Sequence, residues 1–443
     1  MRVSQQDKVP DFTNTAPEAW SDQQVRAFLR SLFDAAIASA QPSRILAKAL
    51  PEKPKGRCIV VGAGKASAAM AAALEEAWPD VALEGVVVTR DGHAVPTQHI
   101  TILEASHPVP DARSVQAGQE VLNAVSDLGE EDLVIALISG GGSSLLTLPV
   151  TGMTLEDKIC IGQELLHSGA TISEMNTVRR HLSAIKGGRL AQAAFPARVV
   201  TFVMSDVPGD DPAVIASGPT VSSPTTAENA LAILEKYEIS VPESAKNHLR
   251  QHANATEKQA AMHPENSVYM IATPYLALQA AARVAGKAGV RTLVLGDALE
   301  GESRVAGTVL SGIAQSAKQH QVPVKGPAVL LSGGETTVTI QKGEKPGKGG
   351  RNTEFLLSCA VSLREAEGIW VLAGDSDGID GTEDAAGAIV TPTTLKRGKK
   401  SGLNAEKFLK NHDSYSYFKA LNDLIMTGPT LVNVNDIRLI FIQ

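Results

Sequence analysis

Ile59–Met70 reads IVVGAGKASAAM. A short run of β-branched residues enters a Gly-x-Gly turn, and an alanine-rich segment follows. That is the pattern of a strand, a tight turn and a helix. Working outward, the same alternation recurs. Strands are predicted over Arg57–Val61, Gly85–Thr89, Leu133–Ser139 and Val199–Ser205, with helices over Lys65–Ala77 and Asp111–Ser126. Upstream, Ser21 reads as an N-cap, and Val25, Phe28, Leu29, Leu32 and Phe33 recur at helical spacing. Strands apolar throughout are expected where both sheet faces are covered, so the alternation predicts a mainly parallel sheet with helices on both sides.

A polar stretch ending in QHANATEKQAAMHPEN separates this from a second cycle. That cycle has strands over Val268–Ala272, Thr292–Leu295, Val329–Ser332, Thr336–Ile340, Ile369–Ala373 and Arg438–Ile442, and helices over Tyr275–Ala288 and Glu302–His320. The expected fold class is α/β with two α/β domains. A loose extension covers residues 1–20, a larger Rossmann-like domain residues 21–264, and a smaller α/β domain residues 265–443.

Composition narrows the function. The chain has 443 residues, 43% of them hydrophobic and 20% charged, which suits a globular protein with a sizeable core. A net charge of -7 argues against binding nucleic acid through a basic surface. The one basic run, KRGKK at Lys396–Lys400, reads as a solvated turn. Three scattered cysteines form no C-x-x-C pair, which suggests neither a zinc site nor a disulfide framework. No secretory signal or membrane-length apolar run is seen. The expected compartment is the cytoplasm, with no membrane partner and room for a homo-oligomer.

Ligands of open α/β sheets bind beyond the carboxyl ends of the strands, so the loops there carry the chemistry. GAGKAS fails the Walker spacing, because Ile59 stands at the first glycine position and Ala66 follows Lys65. It meets a dinucleotide pattern at Gly62 and Gly64, but Ser67 replaces the third glycine, and Asp91 is the nearest candidate for the ribose acid. Dinucleotide binding, other phosphate handling and a plain tight turn all stay open at this loop.

SGGGSS (Ser139–Ser144) could cradle phosphates with its N–H groups or be a flexible turn. EMNTVRRHLSAIKGGRL (Glu174–Leu190) sets Arg179, Lys186 and Arg189 near one helical face, either to capture an anion or as a solvated surface. SDVPGDDP holds Asp206, Asp210 and Asp211. AGDSDGIDGTED adds Asp375, Asp377, Asp380 and Asp384, a supply of oxygen ligands for Mg²⁺ or an Asp- and Gly-rich turn. A lysine, arginines, carboxylates and N–H nests together make the inventory of phosphoryl transfer.

The motifs GAGKAS, TRDGHA, SHPVPD, ISGGGSS, MNTVRRHLSAIKGGRLA, SDVPGDDPAVIASGPT, LSGGETTVT, GKGGRNTE, AGDSDGIDGTEDAAGA and TGPTLVNVND occur in this order. With them the chain resembles the type-2 glycerate kinase family, whose C-terminal part is known as the MOFRL domain. The resemblance implies transfer of the ATP γ-phosphate to the 2-hydroxyl of D-glycerate, giving 2-phosphoglycerate, with Mg²⁺ required and the active site in an interdomain cleft. It places the family's catalytic lysine on Lys65 and its arginine on Arg351, with Asp206 and Glu335 as motif acids and Asp375 and Asp377 in the acidic loop, where they are expected to bind Mg²⁺ or orient the lysine. Gly62, Gly64, Ser139, Gly140, Gly141, Gly142, Ser143, Ser144, Asn176, Arg179, Lys186, Gly333 and Gly334 are the expected substrate- or ATP-binding residues.

One departure stands out. The family reads close to TGPTGTNVND, and this chain has Leu431 and Val432 at the two differing positions. Two rival readings are an NAD(P)H-dependent hydroxypyruvate reductase, a label members of the family have carried, and a non-catalytic ligand-binding module.

Overall fold

A computed structural model describes residues 15–254, 262–341, 343 and 345–443. The chain forms two compact units. One is Gln41–Ala272; the other is Thr273–Gln443 together with the N-terminal segment up to Ala40.

In the first unit six strands form one parallel sheet: β1 (Cys58–Ala63), β2 (Leu83–Arg90), β3 (Ile100–Ala105), β4 (Leu133–Ser139), β5 (Arg198–Met204) and β6 (Ser267–Ala272). Their order is β3-β2-β1-β4-β5-β6, the doubly wound order of dinucleotide-binding folds. β1 and β4 are buried along their whole length, as their unbroken apolar sequences require. Separate apolar clusters cover the two faces: Val61, Val88, Ala117 and Val121 belong to one, and Val60, Met70, Leu74 and Phe202 to the other. The chain order reverses between β1 and β4. In such sheets ligands bind at this switch point, beyond the carboxyl ends of the strands.

In the second unit the strands are β7 (Arg291–Gly296), β8 (Gly301–Glu302), β9 (Ala328–Gly334), β10 (Thr336–Thr337), β11 (Ile369–Asp375), β12 (Gly387–Val390), β13 (Leu424–Ile425) and β14 (Asp436–Ile442). Six of them form a mixed sheet in the order β13-β12-β11-β14-β9-β7, antiparallel except for the β7–β9 pair. Because β14 runs against β9 and β11, its first residue, Asp436, pairs with Gly334 on one side and Asp375 on the other. The ends of three strands therefore meet.

The division differs from the sequence reading in two places. β6 completes the first sheet, so that unit runs to Ala272 rather than to residue 264. The helix Asp22–Ser39, capped by Ser21 as expected, groups with the second unit. Its aromatic face explains this: Phe28 and Trp20 pack on Phe441 with ring centroids 5.6 Å apart, and Asp22 accepts a 2.7 Å bond from the Trp370 indole. Trp20 is buried, so the end of the segment read as loose is anchored; residues 1–14 of it lie outside the described residues. KRGKK lies in the helix Thr394–Lys400 rather than a turn.

Candidate active site

The GAGKAS loop follows β1 and packs against the end of β4. Gly64 has φ +141°, and a Cβ there would collide with the Ser139 hydroxyl, so only glycine lets the two loops close on each other. The contact uses up the loop's donors. The N–H of Gly64 donates to Val88 O at 3.1 Å, that of Lys65 to Gly140 O at 2.9 Å and that of Ser67 to Gly64 O at 3.2 Å. The N–H of Ala66 donates to Ser139 Oγ at 3.0 Å. A dinucleotide pyrophosphate needs such groups open at the helix N-terminus. Here all four are engaged, and this loop is not an anion nest. Asp91, the candidate ribose acid, is held by Arg113 through bonds of 2.6 and 2.9 Å. Gly62 and Gly64 thus serve the packing of two loops. The loop's backbone fixes the position of Lys65, whose carbonyl accepts from the Thr89 hydroxyl at 3.3 Å.

The SGGGSS loop behaves differently. Ser139 is buried as the support of GAGKAS, and Gly142–Leu145 form a single helical turn. The Ser143 hydroxyl meets that of Ser217 at 2.9 Å, and Ser144 Oγ donates to Gly141 O at 3.1 Å. Gly141 lies against the His107 ring and the Lys65 stem: a Cβ on it would sit 3.0 and 3.4 Å from them. Gly140 and Gly142 are buried between these contacts. Beside this loop opens a cavity of about 330 Å³ whose lining includes His107, Gly141, Ser143, Lys158, Arg179 and Lys186.

The basic segment is not one helix. The helix Ile172–His181 ends at Leu182, and Gly187 and Gly188 at positive φ turn the chain before a short helix at Arg189–Ala193. Arg179 and Lys186 therefore line one cavity from either side of the helix end at Leu182, not by helical spacing. Arg189 turns inward and donates to Arg180 O and Lys186 O at 3.0 Å each. Asn176 is buried in the preceding helix, and its carbonyl accepts from Arg180 Nε at 3.1 Å.

Lys158 was missed by sequence reasoning. It comes from the helix Leu155–His167 and donates to Leu182 O at 3.2 Å. Lys186, fully buried, donates to Ser143 O. Burial lowers the pKa of all three cations. The Lys158 ammonium, with Arg179 and Arg189 nearby, is pushed down to about 7. Lys186 lies well below its ordinary value, with Lys158 and Arg179 adding to the effect of burial. Arg179 is lowered by burial alone. Among the described residues, no carboxylate pairs with any of the three. Like charges gathered in a cavity without counter-charge are costly. An anion among them would offset that cost. Asp206 follows β5, next to β4 in the sheet, two residues past Met204 and partly buried.

In the second unit the meeting of strand ends gathers the other predicted residues. Arg351, at the start of the helix Arg351–Leu363, donates from Nε to both Asp436 oxygens at 2.9 and 3.0 Å, from Nη1 to Glu335 at 2.7 Å and from Nη2 to Asp375 at 2.6 Å. Burial alone would lower its pKa; Asp436, Asp375 and Glu335 together raise it. Asp436 is fully buried and also receives Arg438 Nη2 at 2.9 Å and Asn352 Nδ2 at 2.7 Å. It ends the TGPTLVNVND motif, which was its only signal in the sequence. Asp380 caps the arginine's helix, accepting the N–H of Asn352 at 2.9 Å and of Thr353 at 2.8 Å. Gly333 and Gly334 are buried at the end of β9, where Arg438 binds their carbonyls and Gly334 packs on the Leu299 backbone. They serve close approach of chain segments. A cavity of about 500 Å³ beside Arg351 is bounded by Glu335, Glu354 and the glycines of Gly347–Gly350.

The carboxylates expected to hold Mg²⁺ are bonded within the protein. Asp375 takes Arg351 and the N–H of Asp377 at 2.9 Å, and Asp377 accepts the N–H of Ile379 at 2.9 Å. Among the described residues no cluster of three or more acids, histidines or cysteines is arranged for a metal. The donor set does not fit a protein-built metal cage. No helix among the described residues is long and apolar enough to cross a membrane.

Comparison with known proteins agrees on the family while the names divide. Residues 28–250 match a family model described as a domain of unknown function, DUF4147, and residues 328–436 match the MOFRL family. A protein of Agrobacterium vitis with the provisional name hydroxypyruvate reductase is 59% identical, over 96% of each chain. A D-glycerate 2-kinase of Thermotoga maritima is 41% identical over 90% of this chain and 94% of its own. A crystal structure of glycerate kinase from Thermotoga maritima superposes with a TM-score of 0.86 at 38% identity, covering 95% of this chain and all of that one.

Proposed function

Since the chain belongs to the glycerate 2-kinase family with its C-terminal MOFRL region, we propose that it is an ATP-dependent glycerate 2-kinase acting on D-glycerate. The observation that carries this reading is the group of uncompensated cations, Lys158, Arg179 and Lys186, beside the SGGGSS loop at the switch point, with Lys65 at its edge. Phosphoryl transfer is mostly positioning and neutralisation of charge on the phosphoryl oxygens, and these are the groups it needs. Three free cysteines fit a reducing cytoplasmic compartment.

In this reading the 2-hydroxyl oxygen of glycerate attacks the γ-phosphorus, and the bond to the β–γ bridging oxygen breaks. Asp206 orients the hydroxyl and takes its proton. Lys65 and the cation group stabilise the migrating phosphoryl charge. Magnesium enters as the counter-ion of the nucleotide substrate, and no step is assigned to a resident metal. Arg351 and its carboxylates act as a buried anchor, in which Glu335, the most exposed of the three acids, is the one a substrate can displace.

The test is direct. Purified protein, Mg·ATP and D-glycerate should yield ADP and 2-phosphoglycerate, identified by mass and by phosphorus NMR. Lys65→Ala should keep the fold and lose about 10²–10³ in kcat. A folded wild-type protein without turnover sinks the proposal. The name of the Agrobacterium relative motivates a second reading, hydroxypyruvate reduction. The engaged N–H groups of the GAGKAS loop speak against it, and loss of nicotinamide absorbance with hydroxypyruvate would revive it.

A further inference from the structure

The cavity beside the SGGGSS loop has a second character besides its charge. One wall is the turn His107–Pro110. The other is the helix Leu155–His167, which presents Ile159, Gly162 and Leu166 along one stripe. Val109 and Leu166 are 57% and 61% exposed, two large apolar side chains on opposite walls of one pocket. Gly162 lies between Ile159 and Leu166 in the middle of a 13-residue helix, and a Cβ there would meet nothing within 4 Å. A mid-helix glycine costs about 1 kcal/mol relative to alanine, and here no protein atom needs the space. The stripe is a flat apolar notch. The three basic side chains line the same cavity: Lys158 precedes Ile159 on that helix, Lys186 bonds Ser143 O, and Gly141 adjoins the Lys65 stem.

We infer that this cavity is the nucleotide subsite: a planar base lies over Gly162 between Val109 and Leu166, and the phosphates run past Lys158, Arg179 and Lys186 toward Lys65. The assignment rests on the kinase reading and goes beyond it by choosing which substrate the pocket takes. Charge supports the choice. A three-carbon monocarboxylate offers one carboxylate to three basic side chains and leaves most of a 330 Å³ cavity empty; a nucleoside triphosphate offers several anionic groups to them and a base to the apolar notch. The cavity beside Arg351 has the opposite balance. It is bounded by Glu335 and by Glu354, the latter paired with Arg304 and His412, and its arginine is already held by three carboxylates, so it offers a polyanion less than the three basic side chains do.

Lys158 and Leu166 become specificity residues with distinct signatures. Calorimetric titration with ADP, ATP and inorganic tripolyphosphate separates the two parts of the pocket without turnover. Lys158→Met should weaken all three ligands, by about tenfold or more. Val109→Ser combined with Leu166→Asn, at exposed positions that leave the fold intact by circular dichroism, should weaken ADP and ATP at least fivefold and leave tripolyphosphate unchanged. In steady-state assays the KM for ATP should rise in both variants while the KM for D-glycerate holds.

A rise confined to the KM for D-glycerate, with ADP affinity unchanged, would overturn the assignment and give the pocket to the acceptor. Equal weakening of tripolyphosphate and ATP by the Val109/Leu166 pair would overturn the base position. Wild-type protein that binds ADP with these variant effects yet phosphorylates no glycerate would leave the subsite standing and remove the kinase reading.

Discussion

The two charged clusters are built on opposite principles. Around the SGGGSS loop, three cations share a cavity and pair with no carboxylate among the described residues. Around Arg351, one guanidinium is held by Asp436, Asp375 and Glu335, with Asp436 and Asp375 buried. The first cluster carries an electrostatic cost that a bound anion would offset. The second is complete in itself and holds three strand ends together. Residues with the same formal chemistry, an arginine or lysine in a glycine-rich loop, therefore take on different roles according to which partners the fold brings to them.

The sharpest way to break this contrast is to remove the cation from each cluster. Arg351→Met takes the guanidinium away from buried Asp375, while Asp436 keeps its bond to Arg438, and breaking a buried pair in this way costs about 3–5 kcal/mol. Chemical denaturation should show that loss. A variant as stable as wild type would mean that the acids do not depend on Arg351. Lys186→Met removes a buried amine whose charged form burial disfavours and that pairs with no carboxylate among the described residues. It should gain on the order of 1 kcal/mol, while the stabilisation that sulfate confers on wild type drops. A loss of stability would show that the Lys186 bond to Ser143 O matters more than its charge.

The contrast also explains what was legible in the sequence. The parallel sheet could be read because β1 and β4 are apolar without interruption, a pattern that only a doubly covered strand requires. β3, with an intermittently exposed ITILEA, and the short β12 and β13 lacked that signal. The loops could be read because glycine and aspartate cluster at strand ends. Partnership could not. Nothing local marks Asp436 as the main acid on Arg351, since the two lie 85 residues apart and Asp436 is placed by the antiparallel pairing of β14 with β9 and β11. Lys158 sits among ordinary surface charges in LEDKICIGQELLH. The helical-face reading of Arg179 and Lys186 failed because the helix ends at Leu182, before Lys186, although both residues line one cavity.

A smaller effect should appear with pH. The Lys158 ammonium has its folded pKa pushed down to about 7, below that of an unfolded lysine. Between about pH 7 and 10 the unfolded chain then binds more protons, so this group makes stability rise with pH. Below pH 7 both states are charged and the penalty is constant. Comparing wild type with Lys158→Met isolates the contribution: the wild-type Tm should gain on the variant's from pH 7 to 9, and saturating sulfate should shrink the gain. Parallel Tm curves would show that the Lys158 ammonium is solvated.

The smallest effect probes how the C-terminal motif supports the Arg351 cluster. Leu431 stands where the family pattern has glycine, and it adopts φ +61°, a left-handed conformation that strains a branched side chain by about 1–2 kcal/mol. The loop around it is pinned to the acidic turn after β11. Thr430 N–H donates to Asp377 O at 3.0 Å, the Thr430 hydroxyl donates to Ser376 O, and Val434 N–H donates to Ser376 Oγ at 2.8 Å. Val432 is buried and Leu431 only partly so. Leu431→Gly should therefore relieve strain while losing some packing and chain entropy, a net gain of about 0.5–1 kcal/mol. Leu431→Asn, which tolerates the left-handed region, should gain less. Both are read as shifts in denaturation midpoint. If both variants lose stability, packing of the leucine outweighs its strain. If stability rises as expected and kcat with glycerate changes as well, the motif sets the position of Asp375 and, through it, of Arg351; an unchanged kcat confines the loop to a structural role.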